Sequence, residues 1–186
     1  TEETISAFRR NYLPFPTTAS GSQPASTKEF LPDNVISATI AIADPEFWNH
    51  IGFTLTGFFK PEQKTLAQQL VSALLLNEEP PGRRKELRAR LLAAQATSRF
   101  GREKILEWYL NSAAYGRFSY GIDEAARLYF DKRVSQLSLA EAALLAGVSQ
   151  SPSLNPYDAT TAALQRQKAV IQEMLRLRLI DRKSVV

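Results

Sequence analysis

Apolar residues recur along most of this chain at intervals of three and four, the spacing that lines one face of an α-helix. The pattern is densest over residues 103–152. There Ile105, Leu106, Tyr109 and Leu110 predict one short helix, with Asn111 beginning its exit. A Gly-rich turn follows over residues 115–121, and Ile122, Ala125, Ala126, Tyr129 and Phe130 predict a second helix whose alanines let a neighbour approach closely. Ser138 and Glu141 form a capping-box pair, in which each side chain satisfies a backbone N–H at a helix origin; they predict the start of a third helix. Gly147 predicts its stop.

Upstream, Val35, Ile36, Thr39, Ile40, Ala43 and Phe47 share one helical face from Asp33 onward. Downstream, Thr160 or Thr161 is the expected cap of a final helix with a buried stripe of Leu164, Ile171, Met174, Leu175 and Leu179, ending near Ile180. Residues 11–27, with Pro14, Pro16 and Pro24 among Ser, Thr and Gly, read as extended. The chain therefore divides into an N-terminal linker segment, 1–30, and one all-α domain, 31–186.

Composition narrows the picture only a little. With 186 residues, 44% of them apolar, the chain is long enough to bury one core. A net charge of +4 suits an anionic partner without requiring one. The absence of cysteine excludes disulfides and thiolate metal ligands. No uninterrupted apolar run reaches the roughly 18–20 residues that span a bilayer. Arg83, Arg84, Lys85, Arg88, Arg90, Arg99, Arg102 and Lys104 concentrate positive charge. A solvated helix face explains them, and attraction to lipid pyrophosphate or anionic headgroups is the second reading. No stacking aromatics or nucleic-acid motif accompany them, which excludes a nucleic-acid partner.

Several strings in the dense stretch stand in one fixed order: Ile105-Leu106-Glu107, Tyr109-Leu110-Asn111, Tyr115-Gly116, Tyr120-Gly121-Ile122, Ala125-Ala126, Tyr129-Phe130, the run from Leu139 to Gly147, and Ser151-Pro152-Ser153. With Asn155-Pro156, Arg166, Val170 and Met174 behind them, they resemble the glycosyltransferase family 51 domain. That domain is the peptidoglycan glycosyltransferase that polymerises lipid II on the outer face of the bacterial cytoplasmic membrane. The resemblance covers about residues 31–180. It implies a lysozyme-like fold with a larger helical lobe and a small jaw at about 53–81. The apolar run from Phe53 to Phe59 would then touch the membrane or, equally, belong to the core. A membrane anchor would precede the domain, outside these residues, and the location would be the periplasm or cell surface. Arg166, at a family motif position, is expected to brace the core helices.

Where this sequence departs from the family pattern, it departs at the chemistry. The first motif, Glu-Asp, an aromatic, then His and Gly, reads Ala43-Asp44-Pro45-Glu46-Phe47-Trp48-Asn49-His50-Ile51-Gly52 here. The family's glutamate acts as general base on the attacking sugar hydroxyl, and a methyl group cannot accept a proton. A later aspartate is Thr54. Glu46 is a weak substitute, sharing Ala43's face only if the helix continues through Pro45. In the second motif Thr65, Gln68 and Gln69 match, while both glycines and a serine are Glu62, Gln63 and Lys64, and a following lysine is Ser72. In the third, Thr97 stands for the glutamate that handles the departing pyrophosphate, directly or through a divalent metal, and Ala89 and Glu86 replace a glutamate and a lysine.

The resemblance leaves Asp44, His50, Lys64, Thr65, Gln68, Gln69, Lys85 and Arg88 as candidate substrate-binding residues. It leaves no catalytic residue, no metal site and no cofactor. The implied function is a degenerate, non-catalytic domain that binds lipid II, glycan, the membrane surface or a cell-wall synthesis protein as regulator or scaffold. The alternative is an active polymerase with relocated acids such as Glu46. Removal of two glutamates alone would have left the glycines and lysines in place.

Overall fold

The computed structural model describes residues 31–54 and 64–181. The expected linker, Glu62, Gln63 and most of the Phe53 to Phe59 run lie outside them. The elements are α1 (Asp33–Ala43), α2 (Leu66–Leu74), α3 (Arg83–Phe100), α4 (Arg102–Ser112), α5 (Ile122–Phe130), α6 (Leu139–Gln150) and α7 (Thr160–Arg176), with 3-10 turns at Val134–Gln136 and Pro152–Leu154. No strand occurs among the described residues, only an isolated antiparallel bridge between Ala114 and Tyr120. The all-α expectation is borne out.

Helix α6 lies at the centre. Seven consecutive residues, Ala142 to Val148, are buried, so this helix is apolar all round, as a helix surrounded by others must be. It packs mainly against α1 and α7, and also against α5. The capping box is formed: Glu141 N donates to Ser138 Oγ at 3.3 Å and Ser138 N to Glu141 Oε2 at 2.8 Å. Gly147 is not the stop. The helix runs on to Gln150, and a Cβ at 147 would stand 3.1 Å from Arg166 Cγ, so the glycine lets α7 approach. Arg166 thus lays its stem on α6, as expected of a brace.

The final helix also differs from its expectation. Ala159 is the N-cap position and no side chain caps it; the Thr160 hydroxyl instead donates to Pro156 O. Its buried stripe is Ala163, Val170 and Met174, whereas Leu164 and Leu179 are exposed and the helix ends at Arg176. The helix packs on both α6 and α1, and this stripe is what that packing buries.

A second group of helices, α2, α3 and α4, packs together. Although α2 falls within the expected jaw, Leu66, Ala67, Leu70 and Val71 are buried in the common core. The arrangement brings the end of α1, the start of α2 and the C-terminal half of α3 to one place.

Candidate functional site

Helix α1 ends at Ala43 because the next residue leaves helical geometry, with Asp44 at φ −163° and Pro45 behind it. A turn follows, closed by Phe47 N to Asp44 O at 3.0 Å and Asn49 N to Glu46 O at 2.8 Å. This turn buries Phe47 and leaves Glu46 exposed. The helix therefore does not carry Glu46 onto the face of Ala43, and the geometric basis for its substitute role is lost.

Asp44, 5% exposed, is the hub. Both of its carboxylate oxygens lie 2.9 Å from His50 Nε2, and Oδ2 also accepts from Leu66 N at 2.9 Å. One side chain thus joins the end of α1, the following loop and the first turn of α2, where a carboxylate is favoured by the free N–H groups. His50 Nδ1 accepts from Gly52 N at 3.0 Å, which puts the proton of a neutral imidazole on Nε2, facing Asp44. The loop is clamped from outside as well: Arg102 donates to His50 O through Nε at 3.1 Å and Nη2 at 2.7 Å.

Thr65 closes the circuit. Its hydroxyl donates to Gly52 O at 2.6 Å and accepts from Gln68 N at 3.2 Å, while Gln68 Oε1 accepts from Thr65 N at 2.9 Å. The pair is a capping box for α2, buried on both sides. Gly52 must be glycine: φ is +108°, and a Cβ there would lie 2.5 Å from Ala93 O and 2.7 Å from Thr97 Oγ1. Thr97 therefore sits against the loop, 9% exposed, and its hydroxyl finds no partner among the described residues.

The match to known proteins is extensive. The transglycosylase family model covers residues 15–175. The chain belongs to the transglycosylase family. It is 36% identical over 163 residues to penicillin-binding protein 2D of Bacillus subtilis, covering 81% of this chain and 23% of the relative. Penicillin-binding protein 1A of Aquifex aeolicus is 36% identical over 158 residues (78% and 22%), and that of Vibrio cholerae 33% identical over 160 (79% and 19%). The chain spans less than a quarter of the length of these relatives.

Within this transglycosylase domain the candidate residues separate into two groups. Asp44, His50, Thr65 and Gln68 interlock, each with polar atoms committed to the others or to the backbone. The rest stand apart. Lys64 is exposed. Gln69 donates to Lys64 O at 3.1 Å and accepts from the Tyr109 hydroxyl at 3.5 Å, and that hydroxyl in turn accepts from Gln150 at 2.7 Å. Lys85 donates to Glu79 O at 3.0 Å and Arg88 pairs with the Glu79 carboxylate, so both cations gather on the chain before α3.

Sequence reasoning missed the clamp by Arg102, which it grouped with the solvated cations. No local pattern signals a contact made 52 residues away. It also missed the α2 capping box, although Thr65 and Gln68 carry the required spacing. Among the described residues no group of three or more His, Cys, Asp or Glu could hold a metal, and no helix is long and apolar enough to cross a membrane.

Proposed function

We propose that this transglycosylase domain binds a lipid-linked or polymeric peptidoglycan saccharide without polymerising it, at the extracytoplasmic face of a bacterial membrane, as a regulator or scaffold of cell-wall synthesis. One observation supports the reading: a buried hydrogen-bonded frame holds the loop after α1, with Thr97 rather than a carboxylate against it. Asp44, the frame's only carboxylate, faces His50 and Leu66 N from a buried position, and its role there is to hold the loop. Ala43 and Thr97, where the resemblance places the family's glutamates, offer a methyl group and a hydroxyl. Loss of a general base costs about 10²–10⁴ in rate, and groups that act as a unit do not lose activity additively.

The binding half is tested with fluorescent lipid II in detergent, titrated with the protein and followed by anisotropy. A saturable rise that unlabelled lipid II reverses is the expected result. A flat titration removes the saccharide reading.

A further inference from the structure

The turn between α4 and α5 contains the most exposed aromatic side chain of the described residues. Phe118 is 97% exposed, and Tyr120 and Tyr157 nearby are 65% and 59% exposed. This exposure is held in place by a strained backbone. Ser119 N donates to Gly116 O at 2.9 Å, closing a four-residue turn whose two central residues, Arg117 and Phe118, have φ of +49° and +60°. Such left-handed geometry suits glycine or asparagine and costs about 1–2 kcal/mol at an ordinary residue. Strain of this kind persists only where the surroundings over-determine it.

They do so here. Tyr115 N donates to Ser119 O and Gly121 N to Ala113 O, both at 2.9 Å, while the Tyr129 hydroxyl donates to Tyr115 O at 2.7 Å. Gly116 is wedged against Pro152 O and Asn155, with no room for a Cβ. Arg117 donates through Nη1 to Asp158 Oδ1 at 2.7 Å and lies over the Tyr157 ring, 5.2 Å from its centre. The Tyr157 hydroxyl donates to Leu128 O at 3.2 Å. The Tyr157 ring, held by this bond, stands beside an arginine–aspartate pair whose members are each about half exposed.

We infer that this turn is a saccharide-stacking platform, in which Phe118 and Tyr120 take the apolar C–H faces of pyranose rings and the Arg117–Asp158 pair bonds their hydroxyl or acetamido groups. It deepens the saccharide reading above and rests on it. Aromatic faces supply contact area with few rotatable bonds, and charged groups make the stronger hydrogen bonds. A protein partner would need about 800 Å² of surface on each side, far more than a few rings at one turn offer. A lipid surface would be drawn by net positive charge, and here Asp158 offsets Arg117.

The test is calorimetric titration of the full chain with N-acetylchitotetraose, together with its variants Phe118→Gly and Phe118→Tyr. Phe118→Gly should weaken binding about tenfold while raising Tm, because glycine relieves the strain as the ring is lost. Phe118→Tyr should stay within about twofold of the parent. Unchanged affinity in Phe118→Gly overturns the platform and leaves the saccharide reading intact. A parent chain that binds lipid II but not the tetrasaccharide does the same, whereas one that binds neither removes both. Loss of self-association in Phe118→Gly at unchanged saccharide affinity would make the turn a protein contact and overturn the inference.

Discussion

Two loops of this domain follow directly on helix ends, and they are built in opposite ways. The loop after α1 is held by side chains that turn inward, namely Asp44, His50 and Thr65, with Arg102 closing it from α4. The loop after α4 is held mainly by its own backbone and leaves Phe118 and Tyr120 outside. Exchanging the outward side chains of the second should leave the fold intact, because they are exposed. On the first, residues that look like ligand contacts are the structure itself. A motif residue retained there therefore does not by itself imply a retained substrate contact.

The largest test of this contrast is Asp44→Asn. The amide would place a donor against either Leu66 N or His50 Nε2 inside the core, and leaving a buried donor unpaired costs about 1–3 kcal/mol each. A loss of about 3 kcal/mol in urea unfolding is expected. A loss below about 1 kcal/mol would show that the loop does not depend on its side chains.

The next pair probes what the two loops share. Gly52→Ala and Gly116→Ala each add a Cβ 2.5 Å from a carbonyl oxygen at positive φ. Each should lower stability by about 2 kcal/mol, from overpacking and backbone strain together. If Gly116→Ala is harmless, the second loop is not the rigid support inferred for it.

Glu141, outside both loops, gives the scale of an ordinary cap. Burial pushes its carboxyl up, but the Lys132 ammonium and the Ser138 donors outweigh this and hold it below the usual glutamate range. A depressed folded value means stability present above the unfolded value of about 4.5 and lost as pH falls through the folded one. Glu141→Ala should cost about 1 kcal/mol at pH 7, and the difference from the parent should shrink by pH 3. Smallest of all, Arg117→Ala removes an exposed pair and should change stability by about 0.5 kcal/mol or less, with the difference fading in high salt.

Most of the fold was legible because it is written locally. The stretch 103–152 shows its helices through apolar spacing and the Ser138–Glu141 pair, and neither needs a distant residue to be understood. The last helix was harder to read: Met174 is buried as expected and Leu164 and Leu179 have the right spacing, yet packing against α1 and α6 buries Ala163 and Val170 instead of those two leucines. Gly147 has the chemistry of a stop and the role of a close approach, and only the neighbouring Arg166 decides between them. At the site, the sequence names Asp44, His50, Thr65 and Gln68 as candidates, but their partners were not visible in it. Asp44 meets an amide 22 residues on, and Arg102 a carbonyl 52 residues back.

The central claim is that the frame has outlived the chemistry. It is tested most directly by incubating the protein with labelled lipid II, detergent and divalent metal beside an active transglycosylase, and separating the products by size. The account predicts monomer throughout from a folded protein while the control makes polymer. Polymer from this chain would contradict it and show that the proton transfer has moved to residues other than Ala43 and Thr97.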